Sequence, residues 1–436
     1  MRSVVYPGKA STGAVWRGWR RLPIPMLLLA LAGLPLPVQA DDADALSLAD
    51  STPSSVKAAS DWQWYAEAAL GQSTLRNGSA ATSNQRLSLD MQFDKSFAPG
   101  WRAVLADRWD VTWPAQGSDQ RGINTLKEAY LSWQLQEDRI VDLGRINARH
   151  GVATGYNPTD FLRGGAIRSL VSVDPGSLKK NRMGSVMLRG QTLWSGGSLT
   201  ALYSPKLAEQ PDAAPFSIDL GATNNQHRWL LAISQRLTEG FSPQWLVYGG
   251  ANQPPQLGFN LTTLVGDAGV VFVEGSGGRS RTQWSEALQM ADDEAFRKRL
   301  AAGLTYTTQH KLSLTLEYDY NGAALDEDNW KALMRGSALA YGQYRQWVQY
   351  RQEMPTRQAA FLYALWRDAM VNRLDLSAML RLNVADRSRL SWLEARYHWD
   401  RADLALQWQV NSGTAGSEYG AAPQQQAWQA LVRYYF

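Results

Sequence analysis

Polar and apolar positions alternate with a period of two along most of this chain, most cleanly in residues 86–94, RLSLDMQFD. Leu87, Leu89, Met91 and Phe93 share one face there and Arg86, Ser88, Asp90, Gln92 and Asp94 the other, because successive side chains of a strand point to opposite sides. Trp62, Trp64, Ala66, Ala68 and Leu70 alternate in the same way with Gln63, Tyr65 and Glu67. In the last stretch, Gln424 to Phe436, the apolar face carries Trp428, Ala430, Val432, Tyr434 and Phe436, opposite Gln429, Leu431, Arg433 and Tyr435. A charged face backed by an apolar one over about ten residues suits a water-filled barrel in lipid. The alternative for any single stretch is an edge strand of a soluble sandwich.

The pattern recurs at 101–113, 125–135, 139–147, 185–194, 198–204, 228–237, 244–250, 258–265, 268–275, 299–307, 312–320, 358–367, 373–382, 389–399, 404–411 and 427–436, which makes 18 candidate strands. The intervening segments test this independently. Those at 95–100, 136–138, 195–197, 238–243, 266–267, 308–311, 368–372 and 400–403 are short, and those at 71–85, 114–124, 148–184, 205–227, 276–298, 321–357 and 412–426 are longer and fall in the alternate slots. Two slots of the long set, 251–257 and 383–388, are short as well. The fold expected is all-β: a single antiparallel transmembrane β-barrel of about 18 strands over residues 61–436, or 16 if one hairpin is over-counted, with short periplasmic turns and long external loops. Closure gives every backbone N–H and C=O a neighbour, which lipid cannot.

The N-terminus bears on the compartment. Arg17, Arg20 and Arg21 precede an apolar run, Met26 to Leu34, followed by small residues Val38 and Ala40. This is the form of an export signal over residues 1–40, cleaved after Ala40, and the run is too short to cross a bilayer as a helix. Residues 41–60 are small, polar and acidic, and are expected to be a flexible periplasmic lead-in. Without residues 1–40 the chain loses Arg2, Lys9, Arg17, Arg20 and Arg21, leaving 39 basic against 40 acidic residues. That balance gives no argument for nucleic acid. The absence of cysteine excludes a lipoprotein anchor, a disulfide scaffold and thiolate metal sites. Nineteen Trp and 17 Tyr suit the aromatic girdles of a barrel.

Two external segments break the strand rhythm. Trp284, Leu288, Ala291, Ala295 and Phe296 recur at helical spacing within 283–300, and Trp330, Leu333, Met334, Tyr341, Tyr344, Trp347 and Tyr350 do so within 327–351. Each predicts a helix on the barrel mouth, either covering the rim or binding a ligand. Residues 164–184 have no alternation, several glycines, and Arg168, Lys179, Lys180 and Arg182. A loop this long is uncommon without a role. Folded into the lumen, its cations together with Arg145, Arg149 and Arg163 would make an anion-favouring constriction. Left outside, the same cations would meet lipopolysaccharide phosphates. Carboxylates at inward strand positions, Glu67, Asp90, Asp94, Glu128, Glu317, Asp319, Asp375 and Glu394, are expected to pair across strands with cations such as Arg86, Arg102, Arg381 and Arg396.

Residues 139–163 (RIVDLGRINARHGVATGYNPTDFLR), 268–279 (AGVVFVEGSGGR) and 312–325 (LSLTLEYDYNGAAL) resemble a family of proteobacterial outer-membrane barrels of uncharacterised function, with its G-R strand, its N-P-x-D turn and its E-Y-x-Y-N-G strand end. In plan the chain is also similar to the 18-stranded specific porins and the alginate exporter. The final strand, with Trp428, Val432, Tyr434 and a terminal Phe436, resembles the signal read by the barrel-assembly machinery. The resemblance implies passage across the outer membrane of a Gram-negative bacterium and names no cargo.

Catalysis finds little support. None of His150, His227, His310 and His398 has a serine two residues along its strand face, and there is no P-loop, metal cluster or dinucleotide fingerprint. The chain is also short for a plugged barrel of 22 strands. The function expected is a monomeric channel, porin or exporter, that passes a polar, possibly anionic, solute or a polysaccharide, surrounded by outer-membrane lipid and lipopolysaccharide, with no cofactor and no nucleic acid. A non-conducting adhesin or assembly partner, or a lipid-processing barrel enzyme, is the alternative.

Overall fold

The structure, a computed structural model, describes residues 60–436 apart from 77, 79–80, 114–121, 170 and 252. The export signal, its cleavage after Ala40 and nearly all of the lead-in lie outside the described residues. Eighteen strands follow in order: β1 (Trp62–Leu75), β2 (Thr82–Ala98), β3 (Trp101–Trp113), β4 (Gly122–Gln136), β5 (Arg139–Ile146), β6 (Ser185–Trp194), β7 (Gly197–Ser204), β8 (Arg228–Gln235) and β9 (Gln244–Gly250). The second half continues with β10 (Gln253–Val265), β11 (Gly269–Ser280), β12 (Ala295–Thr307), β13 (Leu312–Asn321), β14 (Gln358–Trp366), β15 (Leu374–Asn383), β16 (Arg389–His398), β17 (Ala402–Ser412) and β18 (Gln424–Tyr435). Each pairs antiparallel with its sequence neighbours, and β1 pairs with β18, so the sheet closes. At the seam Ala68 faces Val432, and Trp64 stacks on Phe436 with ring centroids 3.9 Å apart.

The alternation sorts each strand between two media. Leu316 is 62% exposed while Glu317, the next residue of β13, is 1% exposed. Trp428, Val432, Tyr434 and Phe436 stand on the outer face in the same way. An outer wall of bare leucines, valines and tryptophans is soluble only in lipid. Trp101 and Trp133 stack 5.2 Å apart where β3 starts and β4 ends, forming part of one aromatic girdle.

Strand limits depart from expectation mainly at the external ends. Strands β1 and β2 run beyond the positions where the sequence alternation weakens, and so do β11 and β12, where the pairing ladder continues through Gly275, Gly277 and Gly278 without apolar residues to mark it. The helix expected over 283–300 is only one turn, Gln283–Ala287. Ala295 and Phe296, which extended that periodicity, already belong to β12. The segment at 327–351 is helical as expected, in two pieces, Glu327–Arg335 and Ala338–Arg351. Strands β5 to β9 are the low sector of the wall, and from Ile146 the chain turns inward.

Arginine facing lipid at mid-height costs ~2–4 kcal/mol, whereas the same change on a solvated strand costs little. Leu316→Arg is therefore expected to lower the unfolding free energy in vesicles by about that amount in urea titrations. Unchanged stability would contradict a lipid-facing wall.

Candidate functional site

Residues 147–184 enter the barrel and cross it. Strand β5 ends at Ile146, which packs with Leu162, Met187, Leu202, Leu230, Leu246 and Tyr248 in an apolar cluster on the inner side of the low sector. The chain then reaches the far wall. There the Glu274 carboxylate of β11 accepts hydrogen bonds from the backbone N–H groups of Val152 (2.8 Å), Ala153 (3.0 Å) and Thr159 (2.7 Å). Glu317 of β13 accepts those of Thr154 (2.8 Å), Gly155 (3.0 Å) and Tyr156 (2.9 Å). Two buried carboxylates thus hold one peptide segment, each through three amides, and hydrogen bonds to a charged acceptor are worth ~1.5–3 kcal/mol each.

Sequence explains why this segment fits. Gly151 has φ +106°, and a Cβ there would lie 2.6 Å from the Glu274 carboxylate oxygens, so no side chain can stand in its place. In the Asn157-Pro158-Thr159-Asp160 turn, the Asp160 N–H donates to the Asn157 carbonyl (3.2 Å), and the Asn157 amide donates to the Ala153 carbonyl (2.6 Å). The Ser276 hydroxyl donates to the Pro158 carbonyl (2.9 Å), fixing the turn to β11. The second half of the loop crosses back. Arg86 of β2 donates to the Val171 carbonyl (3.4 Å), and the Tyr363 hydroxyl of β14 donates to Asp174 (2.9 Å) at the start of a one-and-a-half-turn helix, Pro175–Lys180. Of the two placements left open by the sequence, in the lumen or outside, the loop takes the first.

The cations named from the sequence do not form one field. Arg163 pairs with Glu353 (2.6 Å), and Arg182 pairs with Asp160 and donates to Asn147 (2.6 Å); both are buried clamps. Arg168 lies 3.3 Å from Asp219, and Lys179 donates to the Ala153 carbonyl (3.2 Å). Lys180 is exposed at the end of the short helix. Arg149 is exposed at the start of the loop, with no ion pair among the described residues. Arg145 shares an outer strand face with Leu143, which is 61% exposed, yet is itself only 2% exposed. It escapes the ~2–4 kcal/mol cost of a lipid-facing arginine only because another segment covers it.

On the walls, cross-strand pairing holds in part. Glu67 meets Arg86 (2.7 Å), Arg108 (3.0 Å) and Arg433 (2.8 Å), and Arg102 meets Asp94 (2.6 Å). Arg396 pairs both with Glu394 two residues earlier on its own strand (2.9 Å) and across to Asp403 of β17 (3.6 Å), while Arg381 lies over the Phe361 ring. Glu317 holds the loop backbone rather than a cation.

Above the loop lies a cavity of about 560 Å³. Its wall combines the ends of β8, β10 and β12 with the infolded loop and the helix Ala338–Arg351. Arg279 is paired with Glu294 (2.7 Å), Arg281 lies 3.8 Å from Asp292, and Arg163 is neutralised by Glu353. Burial alone would push the Glu353 carboxyl up, but Arg163 and Arg299 near it outweigh this and hold it below the usual range. Arg228, Arg299 and Arg351 form no ion pair among the described residues, and the Nε atoms of Arg228, Arg281 and Arg299 are buried without a hydrogen bond. Glu286 also lines the space, with Phe161 and Tyr248 stacked 4.6 Å apart at its floor. Sequence reasoning missed these arginines because they come from four separate segments. The cavity can hold an anionic, partly apolar molecule by charge and ring contact.

The external helices form its roof. Trp330, Leu333, Tyr344 and Val348 pack together, and the Tyr341 hydroxyl donates to the Gly416 carbonyl (2.7 Å). Asp386 accepts from the Trp330 indole (2.9 Å) and the Glu418 N–H (2.7 Å), while the Asn383 amide donates to the Glu418 carboxyl (2.8 Å).

A scan against protein-family models finds none that matches this chain, and no curated protein matches its sequence. Solved structures do match in fold. The chain is similar to Acinetobacter baumannii OccAB1, with TM-score 0.54 and 10% identity over 86% of this chain and 96% of that one. It is similar to Pseudomonas aeruginosa OccK2 in complex with glucuronate (TM-score 0.54, 10% identity, 86% and 97% covered). It is also similar to the outer membrane protein opdK of P. aeruginosa (TM-score 0.51, 9% identity, 86% and 99% covered). At these identities the likeness is one of fold.

Burial pushes the Glu418 carboxyl up to about 7, helped by Asp386 beside it and only partly offset by Asn383. The loop over residues 413–423 therefore keeps its full stability below the ordinary value of 4.5 and loses it as the pH rises through about 7. Proteolysis of this loop should be faster at about pH 8 than at about pH 5, and Glu418→Gln should remove the difference. A pH-independent cleavage rate would contradict the assignment.

Proposed function

We propose that this protein is an outer-membrane channel of a Gram-negative bacterium, exported with cleavage after Ala40, that passes a small polar anion down its gradient. The observation that carries the reading is the cavity above the infolded loop, where Arg228, Arg299 and Arg351 stand without an ion pair among the described residues. The cavity captures the solute from outside, and the infolded loop, with Arg149 and Lys179 on it, sets the constriction below. The likeness of the fold to a barrel crystallised with glucuronate supports an anionic sugar or a molecule of that kind as cargo. The G-R, N-P-T-D and E-Y-D-Y-N-G motifs support kinship with the uncharacterised proteobacterial barrels. The role is passage rather than catalysis, the chain works as a monomer with no cofactor, and its final strand addresses it to the barrel-assembly machinery.

A second reading, a barrel closed at rest, is favoured by the tether itself. With the segment 152–159 fastened to Glu274 and Glu317, and Val173 packed among Phe361, Met379, Leu390 and Trp392, the loop fills much of the lumen. Such a barrel would present its external loops as an adhesin or assembly partner.

Planar-bilayer recordings separate the two. The channel reading expects anion-selective unitary currents that millimolar glucuronate blocks, with Arg299→Gln weakening the block by about tenfold, the value of one charge-assisted contact. A folded, heat-modifiable barrel that never conducts would overturn it.

A further inference from the structure

Three polar side chains stand on the outer face of the wall, one of them in mid-strand. Asp107 lies midway along β3 between Trp101 and Trp113, Asn124 of β4 faces Trp109, and Arg145 of β5 faces Ala129. Asn124 donates to both Asp107 carboxylate oxygens (2.9 Å each), and the Trp109 indole donates to the same carboxylate (2.9 Å). Arg145 donates to the Leu126 carbonyl (3.4 Å), and its Nη2 is buried with no partner. Charge and amide on a lipid-facing wall are out of place unless something other than lipid lies against them.

That something is the loop after β7. Among the described residues, β4 from Gly122 to Leu126 has no strand on the side away from β3, because β5 stops at Ile146. The Asn124 N–H donates to the Pro215 carbonyl there (2.8 Å), so a non-strand segment takes the place of a stave. Its outer side chains are bare: Phe216 is 77% exposed and Ile218 49%. From the lumen side Arg168 of the infolded loop reaches it, lying 3.3 Å from the Asp219 carboxylate and donating to the Ser217 (3.1 Å) and Ala214 carbonyls. The next residues are fixed much more firmly. The Asn224 side chain accepts from the Val186 N–H (2.8 Å) and donates to the Val186 carbonyl (2.8 Å), the Ser204 hydroxyl (3.0 Å) and the Pro205 carbonyl (3.0 Å).

We propose that residues 209–219 are a lateral flap, and that its opening joins the lumen to the outer half of the bilayer as a side passage for an amphiphile with an anionic head. The proposal rests on the lumen being a passage. Lifting the flap breaks the Arg168 latch, removes Asp219 and leaves Arg145, whose Nη2 has no partner, facing the gap. Asp107 stays engaged with Asn124 and Trp109, so the opened throat favours a negative head. Leu126, Phe216 and Ile218 offer its apolar part a route into lipid.

The chain has no cysteine, which makes a clean lock possible. A Cβ built on Gly122 lies 3.8 Å from Pro215 Cβ, the spacing of a disulfide, so Gly122→Cys/Pro215→Cys pins the flap. Uptake of labelled dodecanoate and of labelled glucuronate is measured in Gram-negative host cells expressing wild type, the oxidised double variant, the same variant reduced, and Arg168→Gln. The expected result is a fall of about tenfold in dodecanoate uptake on oxidation, restored by reductant, with glucuronate uptake within about twofold of wild type, as for a gate that serves one route only. Arg168→Gln, which releases the latch without a cross-link, raises dodecanoate uptake. Dodecanoate uptake by wild type no greater than by cells lacking the protein, uptake indifferent to a complete cross-link, equal loss of both solutes, or no rise in Arg168→Gln would each overturn the flap. Glucuronate uptake by wild type no greater than by cells lacking the protein, with dodecanoate uptake still sensitive to the lock, would sink the anion-channel reading instead.

Discussion

The barrel's interior depends on two carboxylates that reach across the lumen to hold a loop. Without Glu274 and Glu317, the amides of residues 152–156 and 159 would lose the carboxylates that accept their hydrogen bonds. Once they are in place the loop must cross the lumen, the Asn157–Asp160 turn must sit against β11, and Arg163 is placed to meet Glu353 at the foot of the external helix. The constriction, the cavity above it and the roof therefore form one connected polar system. Many of its members are paired, but several arginine atoms at the cavity wall are buried without a partner, as is His150 Nε2 on the loop, and unsatisfied buried polar atoms are costly.

The same tether joins the three stretches of sequence whose motifs resemble those of one barrel family. Residues 139–163, 268–279 and 312–325 supply, respectively, the held amides, Glu274 and Glu317, and they meet at one place in the lumen. Their association is not legible from spacing, because the contacts join positions more than a hundred residues apart. Glu317 reads in sequence as one more inward carboxylate awaiting a cation. On a strand, the position of a carboxylate is legible, but its partner is not when that partner is a loop's backbone.

Much of the wall is legible because one physical rule operates at every strand: lipid on one side, water or packed polar groups on the other. Alternation locates all eighteen strands, and the errors lie where alternation fails, as in the glycine-rich top of β11 and at Ala295 and Phe296, where strand residues imitate a helical spacing. The charged residues are harder. Arg163 and Arg182 read as pore cations because nothing local to them reveals Glu353 or Asp160 as partners, and Arg145 reads as inward because a cation on the outer face makes sense only when residues 209–219 cover it. Long-range cover and long-range pairing are the parts of a barrel that its strand pattern does not encode.

The most direct test of the tether is single-channel recording of Glu274→Ala/Glu317→Ala beside wild type in planar bilayers. If the two carboxylates set the constriction, the double variant conducts more, with larger current fluctuations and weaker selection between anions and cations. Equal conductance and equal selectivity in a correctly folded double variant would contradict the claim that this loop, so held, defines the pore.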